Sequence, residues 1–189
     1  MNNMDLIRKF LNLKCIAIDD NDWLYRIDGR TCDDIEDLLI ISINGDMTDP
    51  WTLGNKALAD DKAHFREIRN ESWYYYKSIP NYSSGLLASI IENINDGHEI
   101  DEYLLMLNGW PTSRAWSIRT NEESSEAAVE TKPEYRQMGH AKAVLYSWIE
   151  KQFAFNKTAY YCCRSNYQSQ KLAQSLNAIL ICNVVSCFI

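Results

Sequence analysis

The sequence predicts an α/β (α+β) fold on three observations. The first is a change of hydrophobic period across residues 126–149. Ala127, Val129 and Thr131 alternate with Glu126, Ala128 and Glu130, the period of two of a strand. Ala141, Val144, Leu145, Trp148 and Ile149 then recur at spacings of three and four, one face of an amphipathic helix. The second is the run Tyr160-Tyr161-Cys162-Cys163, which reads as an aromatic-rich strand with a further helical stretch after it. The third is a pair of strands at 102–107 and 115–119. Asn108-Gly109-Trp110-Pro111 turns the chain between them, and Asn121-Glu122-Glu123-Ser124 turns it into the strand at 126. From residue 102 the order is strand, strand, strand, helix, strand, helix, strand.

Upstream, residues 5–13 read as a short helix with Leu6, Ile7, Phe10 and Leu11 on one face, and 15–18 as a strand. Asp19-Asp20-Asn21-Asp22 is a solvated turn, because the glycine and distant glutamate of a calcium loop are missing at the required offsets. Residues 23–27 and 38–43 read as strands, and 56–70 has helical composition. Trp73-Tyr74-Tyr75-Tyr76 is an aromatic cluster for core packing or for the wall of a pocket. Ser83-Ser84-Gly85 introduces a helix over 86–95, closed by Asp96-Gly97. Residues 1–101 precede the strand-and-helix series that begins at 102, in the same unit or as a subdomain.

Between the strand at 126–131 and the next helix lies the stretch with the clearest chemistry. Pro133 ends the strand, since proline donates no ladder hydrogen bond and restricts the residue before it. Arg136-Gln137-Met138-Gly139-His140-Ala141 then opens the helix. Gly139 lets another group approach the backbone. The first amides of a helix have no partner inside it and carry the positive end of its dipole. Such a turn is an anion site suited to phosphate or pyrophosphate. Arg136, His140 when protonated, and Lys142 would reinforce it.

The pattern Val129-x-Thr131-x-Pro133-Glu134-Tyr135-Arg136-x-x-Gly139-x-Ala141 resembles motif A of the Gcn5-related N-acetyltransferases, the GNAT superfamily. Downstream, Asn166-Tyr167-Gln168-Ser169-Gln170-Lys171-Leu172-Ala173 resembles the family's Asn-x-x-Ala/Ser-x-x-Leu helix start. Leu176-Asn177-Ala178 stands where the family has Leu-Gly-Phe, and Asn tolerates the left-handed conformation that ends a helix. Together the two motifs cover about the last third of the chain.

The resemblance implies a GNAT-like mixed central sheet with a splayed parallel strand pair and flanking helices, its acetyl-CoA-binding core at residues 102–189 and residues 1–101 an elaborated N-terminal half on the substrate side. It implies acetyl-CoA as co-substrate, its pyrophosphate on Arg136, Gln137, Met138, Gly139, His140, Ala141 and Lys142. The backbone of Val129, Glu130 and Thr131 would take the pantetheine and acetyl carbonyl, and Asn166 would touch the pantetheine arm. The implied activity is N-acetyl transfer to an amine of a small molecule or a protein, by direct attack on the thioester. Glu126 and Glu130 are the candidate general bases; a solvent-facing strand carboxylate is the alternative for each. The family's usual acid, a Tyr in the second helix, is replaced by Ala173. A non-catalytic acyl-CoA sensor or interaction domain of the same fold is the alternative function.

Composition sets the outer limits. The 189 residues are enough for one domain with a sizeable core. With 26 acidic against 19 basic residues the net charge is −7, which lacks the basic footprint of a nucleic-acid binder. No apolar run approaches the roughly 20 residues of a membrane span. The N-terminus lacks the pattern of a secretory signal. The six cysteines, Cys15, Cys32, Cys162, Cys163, Cys182 and Cys187, have no zinc-site spacing, so no metal is expected and the thiols read as free in a reducing cytoplasm. Homodimerisation is open.

Overall fold

The computed structural model describes residues 5, 6, 9, 24–27, 37–42, 67–83, 89–90, 93–95, 98–100, 102–164 and 167–188. The expected strand at 15–18, the Asp19–Asp22 turn and Asn166 lie outside them. The period change after residue 131 becomes a strand, a 3-10 turn and a helix. Strand β9 (Ser124–Thr131) runs into a turn at Pro133–Tyr135 and then into helix α1 (His140–Ala154). Ahead of β9 come β7 (Glu102–Leu107) and β8 (Trp110–Thr120); after α1 come β10 (Thr158–Arg164), α2 (Tyr167–Ser175) and β11 (Ile179–Phe188). In the N-terminal half lie β1 (Leu24–Ile27), β2 (Asp37–Ser42), β3 (Glu67–Tyr76), β4 (Ser89–Ile90), β5 (Asn93–Asn95) and β6 (His98–Ile100).

The chain divides into two compact units. One comprises Tyr74–Cys162 and Tyr167–Ile179. Its sheet is mixed: β4 pairs antiparallel with β7, β7 with β8 and β8 with β9, while β9 and β10 are parallel. Helix α1 packs on β7, β8 and β9. It buries Ala143, Val144, Leu145, Trp148 and Ile149, so the helical spacing seen in the sequence is the core-facing stripe. Trp148 donates its indole N–H to Ser117 Oγ (2.9 Å), which satisfies the polar edge of a fully buried ring. Asn177 ends the α2 region in the left-handed conformation, at φ 57°.

The other unit comprises Met1–Trp73, Cys163–Asn166 and Leu180–Ile189. There β1 pairs with β2, and β2 with β11, all antiparallel. Ser72 donates to Asn183 Oδ1 (2.8 Å), and Trp73 is fully buried. Tyr74 and Tyr76 are buried too, and Tyr75 is half-buried.

Two expected helices are strands where the structure describes them. The helix over 86–95 is replaced by β4 and by β5, which pairs with β6 in register Asn95↔His98. Leu86, Ile90, Ile91 and Ile94 match a helical period, but isoleucine favours strands and asparagine is a poor helix former. Asp96-Gly97, read as a helix stop, is also the residue pair that two-residue hairpin loops prefer. Within the helical stretch 56–70, residues from Glu67 onward belong to β3.

Strand β8 is longer than the expected 115–119 because Pro111 lies inside it. It sits beside a β-bulge, where a missing N–H is tolerated. Leu105 pairs with Ser113 and Met106 with Pro111, so Thr112 is the extra residue. A second irregularity leaves Ile118 extra, between the pairs Ser117↔Ala127 and Arg119↔Glu126.

Candidate functional site

The turn into α1 leaves the first amides of the helix without a side-chain cap. Gln137 and Gly139 are left-handed, at φ 64° and 85°. Gly139 is the N-cap and no side chain caps the helix. The first bond of the helical ladder runs from Ala143 N–H to Gly139 O (3.0 Å). The amides of His140, Ala141 and Lys142 precede it and have no intrahelical acceptor. Arg136, Gln137, Met138 and Gly139 are exposed, so the turn is open to an incoming anion. Arg136 folds back, its Nε donating to Thr131 O (3.4 Å). The Lys142 ammonium lies 4.8 Å from the centre of the Tyr82 ring, a cation–π contact.

The strand leading to this turn has one open edge. Pairing between β9 and β10 runs from Ser124↔Thr158 to Ala127↔Tyr161, and β9 continues four residues beyond it, to Thr131. Lys132 N–H donates to Thr112 O (3.0 Å), so at Lys132 the backbone faces β8. Backbone groups alternate along a strand, so those of Glu130 also face β8, while those of Val129 and Thr131 face away. Two contacts agree: Glu130 O accepts from Ser113 Oγ on β8 (3.0 Å), and Thr131 O accepts from Arg136. The Val129 and Thr131 amides therefore point to the side on which β10 no longer pairs.

The two candidate bases have opposite settings. Glu126 is 1% exposed and pairs in register with Tyr160, one residue before the strands part. Arg119 donates to its Oε2 (2.8 Å). Burial pushes the Tyr160 phenol far above its ordinary range, and a hydrogen bond with Ser124 offsets this only in part. Glu130 is exposed, and Arg114 bridges it to Glu102 (2.8 and 3.5 Å). An exposed pair is worth about 0–1 kcal/mol, so Glu130 can leave Arg114 at little cost. Leu104, Arg114 and Glu130 lie in one row across β7, β8 and β9. With Glu102 and Lys132 they line a cleft of about 360 Å³.

His140 lies at the start of α1, but its ring is 6% exposed and turned inward, with Nδ1 2.7 Å from Thr112 Oγ1. It stacks on Tyr135 at 5.4 Å between ring centres. Ala173 is fully buried. Sequence reasoning missed Thr112, Arg114 and Arg119. Arg119 alone left a signal, since it flanks a turn opposite Glu126.

Comparison with solved structures identifies the architecture. A GNAT-family protein from Novosphingobium aromaticivorans matches with a TM-score of 0.59 at 13% identity, covering 100% of this chain and 98% of that one. A GNAT-family acetyltransferase from Colwellia psychrerythraea matches at 0.54 and 14% identity, over 72% of this chain and 62% of its own. A GCN5-related N-acetyltransferase-like protein from Streptococcus suis matches at 0.53 and 13% identity over 100% of both. No protein-family model matches the sequence, and no curated protein matches it. The chain has the GNAT fold, and likeness at this identity speaks for the fold alone. Among the described residues no group of three or more His, Cys, Asp or Glu side chains could hold a metal ion, and no helix is long and apolar enough to cross a membrane.

Proposed function

We propose that this protein is an acetyl-CoA-dependent N-acetyltransferase acting on an amine of a small molecule or a protein in the cytoplasm. The observation that carries the reading is a continuous open track. The outward amides of Val129 and Thr131 lead along β9 to the uncapped start of α1. The turn fits a diphosphate because Arg136 to Gly139 are exposed, no side chain caps the helix and Gly139 adds none across its first amides. Acetyl-CoA supplies an activated thioester whose thiolate leaves with little help.

The chain's residues supply position and polarity. The amides of His140, Ala141 and Lys142 hold the diphosphate, with Arg136 beside them. The Thr131 amide takes the pantetheine arm, with Glu130 alongside it. The Val129 N–H donates to the thioester carbonyl oxygen as negative charge builds there, a contribution worth about 10²–10³ in rate for such a donor. Glu126, one residue before β9 and β10 part, takes a proton from the acceptor's ammonium and so frees the neutral amine that attacks the thioester, and Glu130 at the cleft is the second candidate.

A non-catalytic acyl-CoA sensor is the second reading. It is favoured by Ala173 in place of a tyrosine and by the burial of Glu126. Thiol release from acetyl-CoA across a panel of small amines and peptides separates the two. Amine-dependent release supports the enzyme. Tight coenzyme A binding without release under any amine supports the sensor.

A further inference from the structure

Helix α1 starts without the side chain that usually holds a helix start in place. Ser, Thr, Asp or Asn at the N-cap would stabilise it by about 1 kcal/mol, but would occupy an amide at N2 or N3. Gly139 leaves those amides open and contributes no anchor. The anchoring falls to His140, the first helical residue. Its ring is buried, stacks on Tyr135 and meets Thr112.

Thr112 reaches it because of the bulge in β8. The regular alternation of that strand breaks at this extra residue, and bulges re-aim side chains in this way. The Thr112 carbonyl accepts from Lys132 N–H at the end of β9 (3.0 Å). Its hydroxyl donates to Leu105 O on β7 (3.0 Å). A hydroxyl has one proton. Toward His140 it therefore accepts, and Nδ1 of the imidazole carries the hydrogen. One residue thus joins β7, the exit of β9 and the first turn of α1.

We propose that Thr112 is a positioning residue for the diphosphate turn: its hydroxyl fixes His140 and so keeps the amides of His140, Ala141 and Lys142 aimed outward, in place of an N-cap. This rests on the reading of that turn as a coenzyme A site. Thr112→Val removes the acceptor for His140 and with it the donor to Leu105 O, while keeping the shape, and Thr112→Ser keeps the hydroxyl and both bonds. With the valine, Kd for coenzyme A by calorimetry and KM for acetyl-CoA should rise about 5- to 10-fold, the order expected for losing the His140 bond, the one of the two that reaches the turn; the lost Leu105 bond lowers the melting point instead. The turnover number at saturation should fall far less, and serine should restore both constants to within about twofold.

Nitrogen-15 NMR of the His140 ring above neutral pH gives a readout independent of any ligand. It should report the Nδ1–H form in the wild type and the serine variant. A bare Nδ1 there, or a valine variant that binds as the wild type does, overturns the proposal. If the valine variant does not fold, the ring tautomer and the serine constants decide the matter. A wild type that shows Nδ1–H but no affinity for coenzyme A overturns the diphosphate reading instead.

Discussion

At the scale of single residues, the consequences of the site separate cleanly. Gly139 holds φ 85°, a conformation that costs other residues about 1–2 kcal/mol. Gly139→Asp adds a carboxylate beside the amides that would receive the diphosphate. Coenzyme A affinity should fall more than about tenfold, while the melting point drops only by the strain. Calorimetry beside a thermal melt distinguishes this from general unfolding. The two carboxylates call for a pH profile. If Glu126 relays the proton, Glu126→Gln should depress turnover strongly near neutrality and less at alkaline pH. There an amine of ordinary pKa, about 10, has begun to lose its own proton. A loss that is flat with pH removes Glu126 as the base, and the same profile on Glu130→Gln then tests the cleft carboxylate.

At the scale of elements, α2 and β9 make opposite predictions. A tyrosine at position 173 would restore the family's usual residue, yet Ala173 is fully buried. Ala173→Tyr should overpack that contact, cost about 1–3 kcal/mol or more, and leave turnover no higher. A faster variant would show that α2 can admit the ring. Val129→Pro deletes an N–H that faces away from β8, so the β8–β9 ladder should survive; turnover should drop about 100-fold with KM for acetyl-CoA less affected. An unchanged turnover number would take the oxyanion role from Val129. Helix α1 was legible because its apolar residues repeat at three and four; β9 has only a rough period of two, its buried residues run from Ser124 to Ala127 without alternation, and Pro133 marks its end. Within the expected helix at 86–95 the isoleucines satisfy both periods, and at 89–90 and 93–95 pairing with β7 and with β6 decides for strands. The Thr112–His140 contact was hidden, since its partners stand 28 residues apart and meet only because a bulge breaks the alternation.

At the scale of the whole molecule, the chain enters its first unit three times, as Met1–Trp73, Cys163–Asn166 and Leu180–Ile189. We propose residues 102–189 as the acetyl-CoA-binding core. Expressing them alone and following urea unfolding tests whether they fold without the rest. A ligand that binds only the folded chain stabilises it by about 2.7 kcal/mol at a hundred times its Kd. For a chain of this size that is a rise in melting temperature of roughly 5–10 °C. The rise should appear with coenzyme A and vanish with Gly139→Asp. Sheet borders that lack a neighbour also invite strands from other copies. The far end of β9, past its last pair with β10, is such a border. Protein purified in the absence of coenzyme A should therefore form soluble clumps at high concentration, and light scattering should fall once coenzyme A is added. The cosubstrate would then double as a guard against self-association.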